Sequence, residues 1–423
     1  MKDLKTPKGL GRGIGSPIRG MPDLYGKNIE AISIVEKACK VIFQSFNYQE
    51  FRTPIVEFRD LFFGAVGEDT EIQKQVYLLN NDLNPRYITN PLCLRPEGTA
   101  GLVRALISNG LDSDEIKKFF YLGPMFRYER PQKGRKRQFL QAGVELIGDR
   151  SSDADIEIIL IADMILKKLN IKSTLKLNYL GNEESLQKYN EYLKVFLSSF
   201  TDLPEYVMKN PIRALDSKDI DIKNTMSKAK SIKGFLNKAQ VEEFNKIKSK
   251  LDETGIKYEE NTNLVRGLDY YNGLVFEFLS DDLGAQNAIL GGGRYDGLIK
   301  RLGGRDLPAT GFALGIDRLA DIIELPSIEK DLFIGCVDKE SRTYAQALGY
   351  KIRENNSSLI VENYLGNANV GKQMKKADSQ GFKFAIIVGQ EEIKAEKVKL
   401  KYLKDDKKDV ECTIEELVEL LND

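Results

Sequence analysis

Residues 118–148 constrain the fold more tightly than any other stretch: two segments of strand period flank a loop of concentrated positive charge. Period-two alternation puts Tyr121, Gly123, Met125, Arg127 and Glu129 on one face of the first strand. In the second, Phe139, Gln141, Gly143, Glu145 and Ile147 share a face, while Leu140, Ala142, Val144 and Leu146 share the other. The second strand is therefore apolar on one side. The opposite side of the hairpin offers an arginine, two carboxylates, an amide and an aromatic ring. Between the strands lies the basic run Arg130-Pro131-Gln132-Lys133-Gly134-Arg135-Lys136-Arg137. Half-exposed antiparallel strands are ordinarily polar outside, so period alone leaves a solvated face and a binding face equally open. An arginine beside an adenine-sized ring and a basic flap is nevertheless what polyphosphate and nucleotide binding needs.

Elsewhere the chain alternates between helical and strand period. Apolar residues from Ile29 to Phe46 recur at helical spacing and predict a helix over Asn28–Phe46; Glu50–Val56 follows as a strand that Pro54 marks as an edge or an end. A second helix is expected over Asp155–Leu169. Residues 170–260 are Lys-rich, helical in period at Ser185–Phe200 and Gln240–Asp252, and free of the glycine clusters on either side. They read as an insertion between two halves of one unit. Strand signals return over Leu264–Leu279, and glycine clusters lead to a helix at Gly315–Leu325. Beyond Pro326-Ser327, strands at Leu332–Val337, Leu359–Val361, Phe384–Val388 and Val398–Leu403, mostly separated by helical stretches, predict a compact α/β domain.

Three further constellations carry chemistry. Leu94-Arg95-Pro96-Glu97-Gly98-Thr99 sets a carboxylate and a hydroxyl around a glycine; read in isolation it is a capped helix start. In Leu264-Val265-Arg266-Gly267-Leu268-Asp269-Tyr270-Tyr271 an apolar strand is interrupted by charge, so Arg266 either pairs with Asp269 or faces a ligand. Asn272-Gly273 then has the form of a hairpin turn. Gly291-Gly292-Gly293-Arg294-Tyr295-Asp296 allows close backbone approach, and Gly311 to Arg318 is a strand-to-helix transition with Arg318 in the first helical turn.

Composition removes several mechanisms. The 423 residues contain no histidine, which excludes Ser-His-Asp and Cys-His pairs, HExxH zinc sites and HRD kinase loops. Proton transfer falls to carboxylates, Lys, Tyr, substrate or water, and positioned charge becomes the better basis for catalysis. Cys39, Cys93, Cys336 and Cys412 form no CxxC pair, so no metal site built from His or Cys is expected, and isolated thiols of this kind fit a reducing cytosol. The 63 basic and 63 acidic residues cancel, which argues against wholesale nucleic-acid coating but leaves local basic patches. No window approaches a membrane-spanning apolar run, and Met1–Arg19 reads as a basic, Gly/Pro-rich terminal arm.

Taken in order, these segments resemble histidyl-tRNA synthetase, a class II aminoacyl-tRNA synthetase family. The matching pieces are Arg19-Gly20-Met21, Thr53 to Glu57, Leu94 to Ala100, Gly123 to Arg127, Glu129 to Arg135, Arg137-Gln138-Phe139, Leu264 to Tyr271, Gly292 to Leu298 and Gly311 to Arg318. The resemblance implies an α+β fold: a class II antiparallel-sheet catalytic domain over residues 1–328, with a helical insertion at about 170–260, and an α/β anticodon-binding domain over 329–423. It implies ATP and Mg2+, L-histidine and tRNA-His as substrates and partners, a cytoplasmic homodimer, and an interface around the first helix and Thr53-Pro54-Ile55. Arg127 is expected on the α-phosphate and substrate carboxylate, Arg266 on the α-phosphate, and Arg318 with Arg135 on the terminal phosphates. Phe139 would stack on adenine, with Glu129 near its amino group. Glu97, Thr99, Gln141 and Glu145 would bind the ammonium group and imidazole, closed in by Tyr270, Tyr271 and Tyr295. Gln132 and Arg137 would meet the acceptor stem.

Two positions depart from the family pattern: Tyr128 and Leu140 stand where it usually has histidine, and neither carries an expected role. Related proteins include a regulatory subunit of ATP phosphoribosyltransferase and synthetase-derived RNA-binding proteins. The regulatory paralogues typically lose the C-terminal domain and the arginines that this chain keeps. In the last domain Lys397, Lys399 and Lys401 alternate with Val398, Leu400 and Tyr402, as either a phosphate-contacting face or a solubilising edge strand.

Overall fold

The computed structural model describes residues 15–66, 71–79, 91–132, 134–200, 203–217, 219–284, 287–326, 329–405 and 407–422. Most of the expected terminal arm, Lys133 of the basic loop and the boundary residues Ser327 and Ile328 lie outside that set. The chain divides into two units after Leu325.

In the first unit the hairpin forms as expected. Strands Lys117–Phe126 and Gln138–Ile147 pair antiparallel, with Tyr121 opposite Gly143, Gly123 opposite Gln141 and Met125 opposite Phe139. Their sheet has eight strands, in the order Gln49–Glu50, Lys117–Phe126, Gln138–Ile147, Ala309–Gly315, Ala288–Arg294, Asn272–Leu279, Thr174–Tyr179, Tyr258–Glu260. Only the short strands at the two edges run parallel to their neighbours. The apolar side, including Phe120, Val144, Phe276 and Phe312, is buried against helix Lys27–Ser45, through Val35, Cys39, Ile42 and Phe43, and against helix Ser152–Lys168. Burying each such side chain contributes roughly 1.5–3 kcal/mol, so this face fixes the register of the whole sheet. The first helix ends at Ser45, and two residues on Asn47, at φ 64°, leaves the right-handed region.

Within the first unit the structure differs from the sequence reading in four places. The strand expected at Glu50–Val56 splits: Gln49–Glu50 joins the large sheet, and Val56–Phe58 joins a three-stranded sheet with Leu92–Leu94 and Tyr77–Leu78. Pro54 lacks an N–H, and the Thr53 carbonyl accepts from Arg95 Nη1 at 2.9 Å, so the backbone between has little left for a ladder. The insertion is also narrower than 170–260. Thr174–Tyr179 and Tyr258–Glu260 are sheet strands, and helix Lys238–Thr254 gives Phe244, Ile247 and Leu251 to the central core. What remains is a helical module with its own core of Tyr189, Leu193, Leu197, Val207, Leu215 and Ile222.

The third difference is at Leu264–Tyr271, which is a loop; the strand is Asn272–Leu279, and Gly273, at φ 56°, lies inside it rather than in a hairpin turn. Leu264 and Val265 are drawn into the insertion's core and Tyr270 into another apolar cluster, directions that one straight strand cannot satisfy. Finally, the helix expected at Gly315–Leu325 is a short Ile316–Ala320 turn following strand Ala309–Gly315.

The second unit is the expected α/β domain. Strands Val361–Asn363, Lys330–Cys336 and Phe382–Val388 are parallel, and Lys397–Tyr402 and Val410–Thr413 add antiparallel to them. The last strand was not anticipated. Val398 and Leu400 are buried while Lys397 and Lys399 are exposed, as the alternation requires.

Candidate active site

The sheet face away from the two helices is floored by small residues, and this lets charged side chains lie flat on it. A Cβ on Gly291 would overlap the Arg266 guanidinium, and one on Gly311 would overlap the Glu145 carboxylate and the Val144 carbonyl. Gly311 faces Glu145, and Gly291 faces Ala313, across the same sheet. Two adjoining cavities open on this floor, and Arg127, Gln141, Arg266, Gly291 and Ala313 line both.

The inner cavity is walled by Glu97, Thr99, Tyr270 and Tyr271 as well. Glu97 takes the role that its isolated motif suggested: its carboxylate accepts from the backbone N–H groups of Thr99 at 2.7 Å and Ala100 at 2.8 Å, capping helix Thr99–Ser108. Burial still raises its pKa, opposed by those donors and by Arg127. Glu145 and Tyr295 lie outside the cavity lining. The Glu145 carboxyl is buried beneath it, bonded to the Thr99 hydroxyl and the Tyr295 hydroxyl, each at 2.7 Å. Loss of solvent pushes its pKa up to about 8. Among the described residues, the buried Gln141 Oε1 and Arg266 Nε have no hydrogen-bond partner. Such orphaned atoms are costly unless a ligand completes them.

The outer cavity is the more cationic. Arg127, Glu129, Arg135, Phe139 and Arg318 all line it. Arg127 donates from Nε to the Pro96 carbonyl at 2.9 Å and lies over the Phe139 ring, 5.1 Å from its centroid. Arg135 pairs with Glu129 at 3.2 Å, and Arg318 donates to the Ala288 carbonyl at 2.6 Å. Burial lowers the pKa of both Arg127 and Arg318, and the neighbouring Arg135 lowers each further. Arginines do not lose their charge, so the mutual repulsion is a standing cost that a polyanion relieves. Gln132 and Arg137 stand outside both linings: Gln132 exchanges backbone bonds with Arg135, and Arg137 covers the Tyr128 ring at 4.3 Å.

Several supporting contacts were missed in the sequence. Asp317 is largely buried, and its two oxygens hold Lys136 Nζ at 2.6 Å and Leu140 N at 2.5 Å, fastening the end of the basic loop to the helix that carries Arg318. Arg266 does not pair with Asp269. It pairs with Glu277 at 3.2 Å, while Asp269 accepts from Arg213. Glu277 had a legible signal, as the one charge in the apolar strand Leu274-Val275-Phe276-Glu277-Phe278-Leu279. Arg213, in the insertion, had none.

The family described as Histidyl-tRNA synthetase matches residues 20–186 and 211–319, and the Anticodon binding domain family matches 331–423. The chain is 38% identical to the histidine–tRNA ligase of Hydrogenovibrio crunogenus over 416 residues, 96% of each chain. It is similar in structure to the apo histidyl-tRNA synthetase of S. aureus, with a TM-score of 0.79 and 30% identity over 96% of this chain and 100% of that one. A Bacillus halodurans protein described as an ATP phosphoribosyltransferase regulatory subunit/histidyl-tRNA synthetase shares the fold, at TM-score 0.65 and 23% identity over 89% of this chain and 98% of that one. With both domains matched and near-complete coverage, this chain belongs to the histidyl-tRNA synthetase family of aminoacyl-tRNA ligases.

Proposed function

We propose that the inner cavity holds L-histidine, the outer cavity holds ATP, and the chemistry occurs where they meet. The observation that carries this reading is the shared wall of Arg127, Gln141 and Arg266. A histidine carboxylate oxygen attacks the α-phosphorus, pyrophosphate leaves, and histidyl-adenylate remains. A ribose hydroxyl at the 3′ end of tRNA-His then attacks the carbonyl carbon and releases AMP.

Negative charge gathers on the α-phosphate in the first step. Arg127 and Arg266, desolvated and fixed in advance, stabilise it without a protein imidazole. Arg318 and Arg135 take the terminal phosphates, Phe139 the adenine ring and Glu129 its amino group. Glu97 and Thr99 receive the ammonium group, and Gln141 Oε1 accepts a substrate N–H. Glu145 and Tyr295 act from beneath, orienting Thr99 and tuning the polarity of the imidazole end. Tyr270 and Tyr271 close the pocket.

Among the described residues no three His, Cys, Asp or Glu side chains gather as a metal cage. Mg2+ would enter this site with the nucleotide, with Glu129 in the outer cavity as a carboxylate available to it, and would supply charge neutralisation on the phosphates.

In this reading the second unit reads the anticodon, and Gln132 and Arg137 meet the acceptor stem. Ile55, Val56, Phe58 and Leu78 are exposed on or beside the three-stranded sheet, which supports a homodimer interface there. No helix among the described residues is long and apolar enough to cross a membrane. The four cysteines are free and buried, as suits a cytoplasmic enzyme.

The test is ATP–pyrophosphate exchange with each amino acid in turn and no tRNA. Exchange with histidine alone supports the reading. No exchange with any amino acid, from folded protein, removes it and favours a regulatory relative.

A further inference from the structure

The Arg266–Tyr271 loop contributes to both cavities, yet it belongs to no strand or helix. Its ends are well anchored: Leu264 and Val265 are buried in the insertion's core, and Tyr270 in the apolar cluster beside the inner cavity. Between these anchors Gly267 and Asp269 are exposed, and Arg266 makes a single ion pair, to Glu277. Leu268, midway along the span, packs partly buried against that same apolar cluster, so apolar anchoring leaves the polar backbone on either side of Leu268, and Arg266 itself, to be held by other contacts.

That span is held from the insertion. Arg213 donates from Nε to Asp269 Oδ1 at 2.9 Å and from Nη2 to the same oxygen at 2.6 Å. The same Nη2 donates to the Gly267 carbonyl at 2.7 Å, and Asn210 Nδ2 reaches Asp269 Oδ2 at 3.3 Å. One guanidinium thus clamps a carboxylate and a backbone carbonyl that bracket Leu268, and the carbonyl belongs to the residue next to Arg266. The clamp is stiff at its root. Arg213 sits in the 3-10 helix Pro211–Asp216, started by a proline and seated through buried Ala214 and Leu215. An arginine fork loses little freedom on making such bonds.

We propose that Arg213 is a positioning residue for activation: the helical insertion, through the Arg213–Asp269 clamp, sets where Arg266 stands at the junction of the two cavities. The proposal rests on the reading of Arg266 as a group at the reacting centre. Its energetic signature is specific. An ion pair this close to the surface contributes little to global stability, whereas a displacement of about 1 Å at a reacting group costs up to 100-fold in rate.

The experiment is histidine-dependent ATP–pyrophosphate exchange on the full chain, with rates expressed per active site titrated by the adenylate burst. The variants are Arg213→Ala, Asp269→Ala, their double and Arg213→Lys. Each alanine variant is expected to lower kcat about tenfold, with the KM values for histidine and ATP close to wild type. The double is expected to be no worse than either single, because both remove one clamp. Arg213→Lys, which keeps the charge without the fork, should recover part of the loss. Wild-type kcat in Arg213→Ala, or single losses that multiply in the double, would overturn the proposal. Should Arg213→Ala fail to fold by circular dichroism, Arg213→Lys and Arg213→Gln carry the same comparison. Arg266→Ala, run alongside, separates the two claims: if it turns over normally, the reading of Arg266 fails; if it is dead while Arg213→Ala is normal, only the clamp fails.

Discussion

The glycine floor offers a test in which activity and stability part company. Consider Gly291→Ala. The added Cβ would claim the space of the Arg266 guanidinium, which is the far end of a flexible side chain and can swing aside. Swinging aside breaks the Arg266–Glu277 pair, whose members are 22% and 19% exposed, at a cost of about 1 kcal/mol. Replacing a strand glycine with alanine returns roughly 0.5–1 kcal/mol of chain entropy. The two terms nearly cancel, leaving at most about 0.5 kcal/mol, so the melting temperature should move by no more than about 2 °C. Activity has no such compensation. A guanidinium moved by about 1 Å from the reacting centre costs on the order of 100-fold, or about 2.7 kcal/mol of transition-state stabilisation.

Gly311→Ala is the matched control. There the Cβ meets the Val144 carbonyl on the adjacent strand, and backbone cannot retreat without parting the ladder. That variant should lose about 1–3 kcal/mol of stability and melt several degrees lower. Thermal melts and histidine-dependent exchange on both proteins decide the matter. Gly291→Ala turning over at the wild-type rate, or melting as far down as Gly311→Ala, would refute the reasoning.

Three other outcomes follow from the site. Arg318→Ala should raise the KM for ATP by roughly 10- to 100-fold, since it removes a charge-assisted contact of about 1.5–3 kcal/mol while leaving the histidine cavity intact; an unchanged KM in exchange assays would take Arg318 off the phosphates. Asp317→Asn should weaken ATP binding with little effect on histidine binding, because it loosens Lys136 and Leu140 together; equal loss for both ligands by calorimetry would contradict this. Glu145→Gln should alter the pH dependence of melting. With its pKa pushed up to about 8, the wild-type carboxyl holds its proton in the folded state where the unfolded state has lost it. Its contribution is fully present below the ordinary carboxyl range and is lost as pH rises toward about 8, on the order of 5 kcal/mol at most. The glutamine variant should therefore show a flatter decline in melting temperature between about pH 5 and 8, and identical slopes there would rule the mechanism out.

The hairpin was legible because an apolar side enforces a period of two: the alternation from Phe139 to Ile147 gave the strand and its polar face, while the choice of that face as a binding face came from the resemblance. The roles of Arg127, Arg266 and Arg318 came from resemblance, and the structure brings all three to one pair of adjoining cavities. The Leu264–Tyr271 loop was misread because its apolar residues are spent on two different cores, a tertiary fact that no local pattern encodes. Glu145 and Tyr295, expected to line the pocket, instead bond to each other beneath it, because strand period gives a side chain's face and not its depth. The edges of the insertion were blurred by lysine content: Thr174–Tyr179 carries Lys176 yet buries Leu175 and Leu177 completely enough to belong to the main sheet.

The wall common to the two cavities also has a thermodynamic meaning. Arg127 and Arg266 line both cavities, so in the proposed reading they serve both occupants, and filling either cavity would prepay part of the ordering that the second ligand requires. Linkage then makes the effect mutual: whatever factor ATP confers on histidine affinity, histidine confers on ATP affinity. A single molecule spanning both cavities would collect that coupling and lose its translational freedom once instead of twice. An inhibitor of this enzyme should accordingly be built across the arginine wall, not within either chamber.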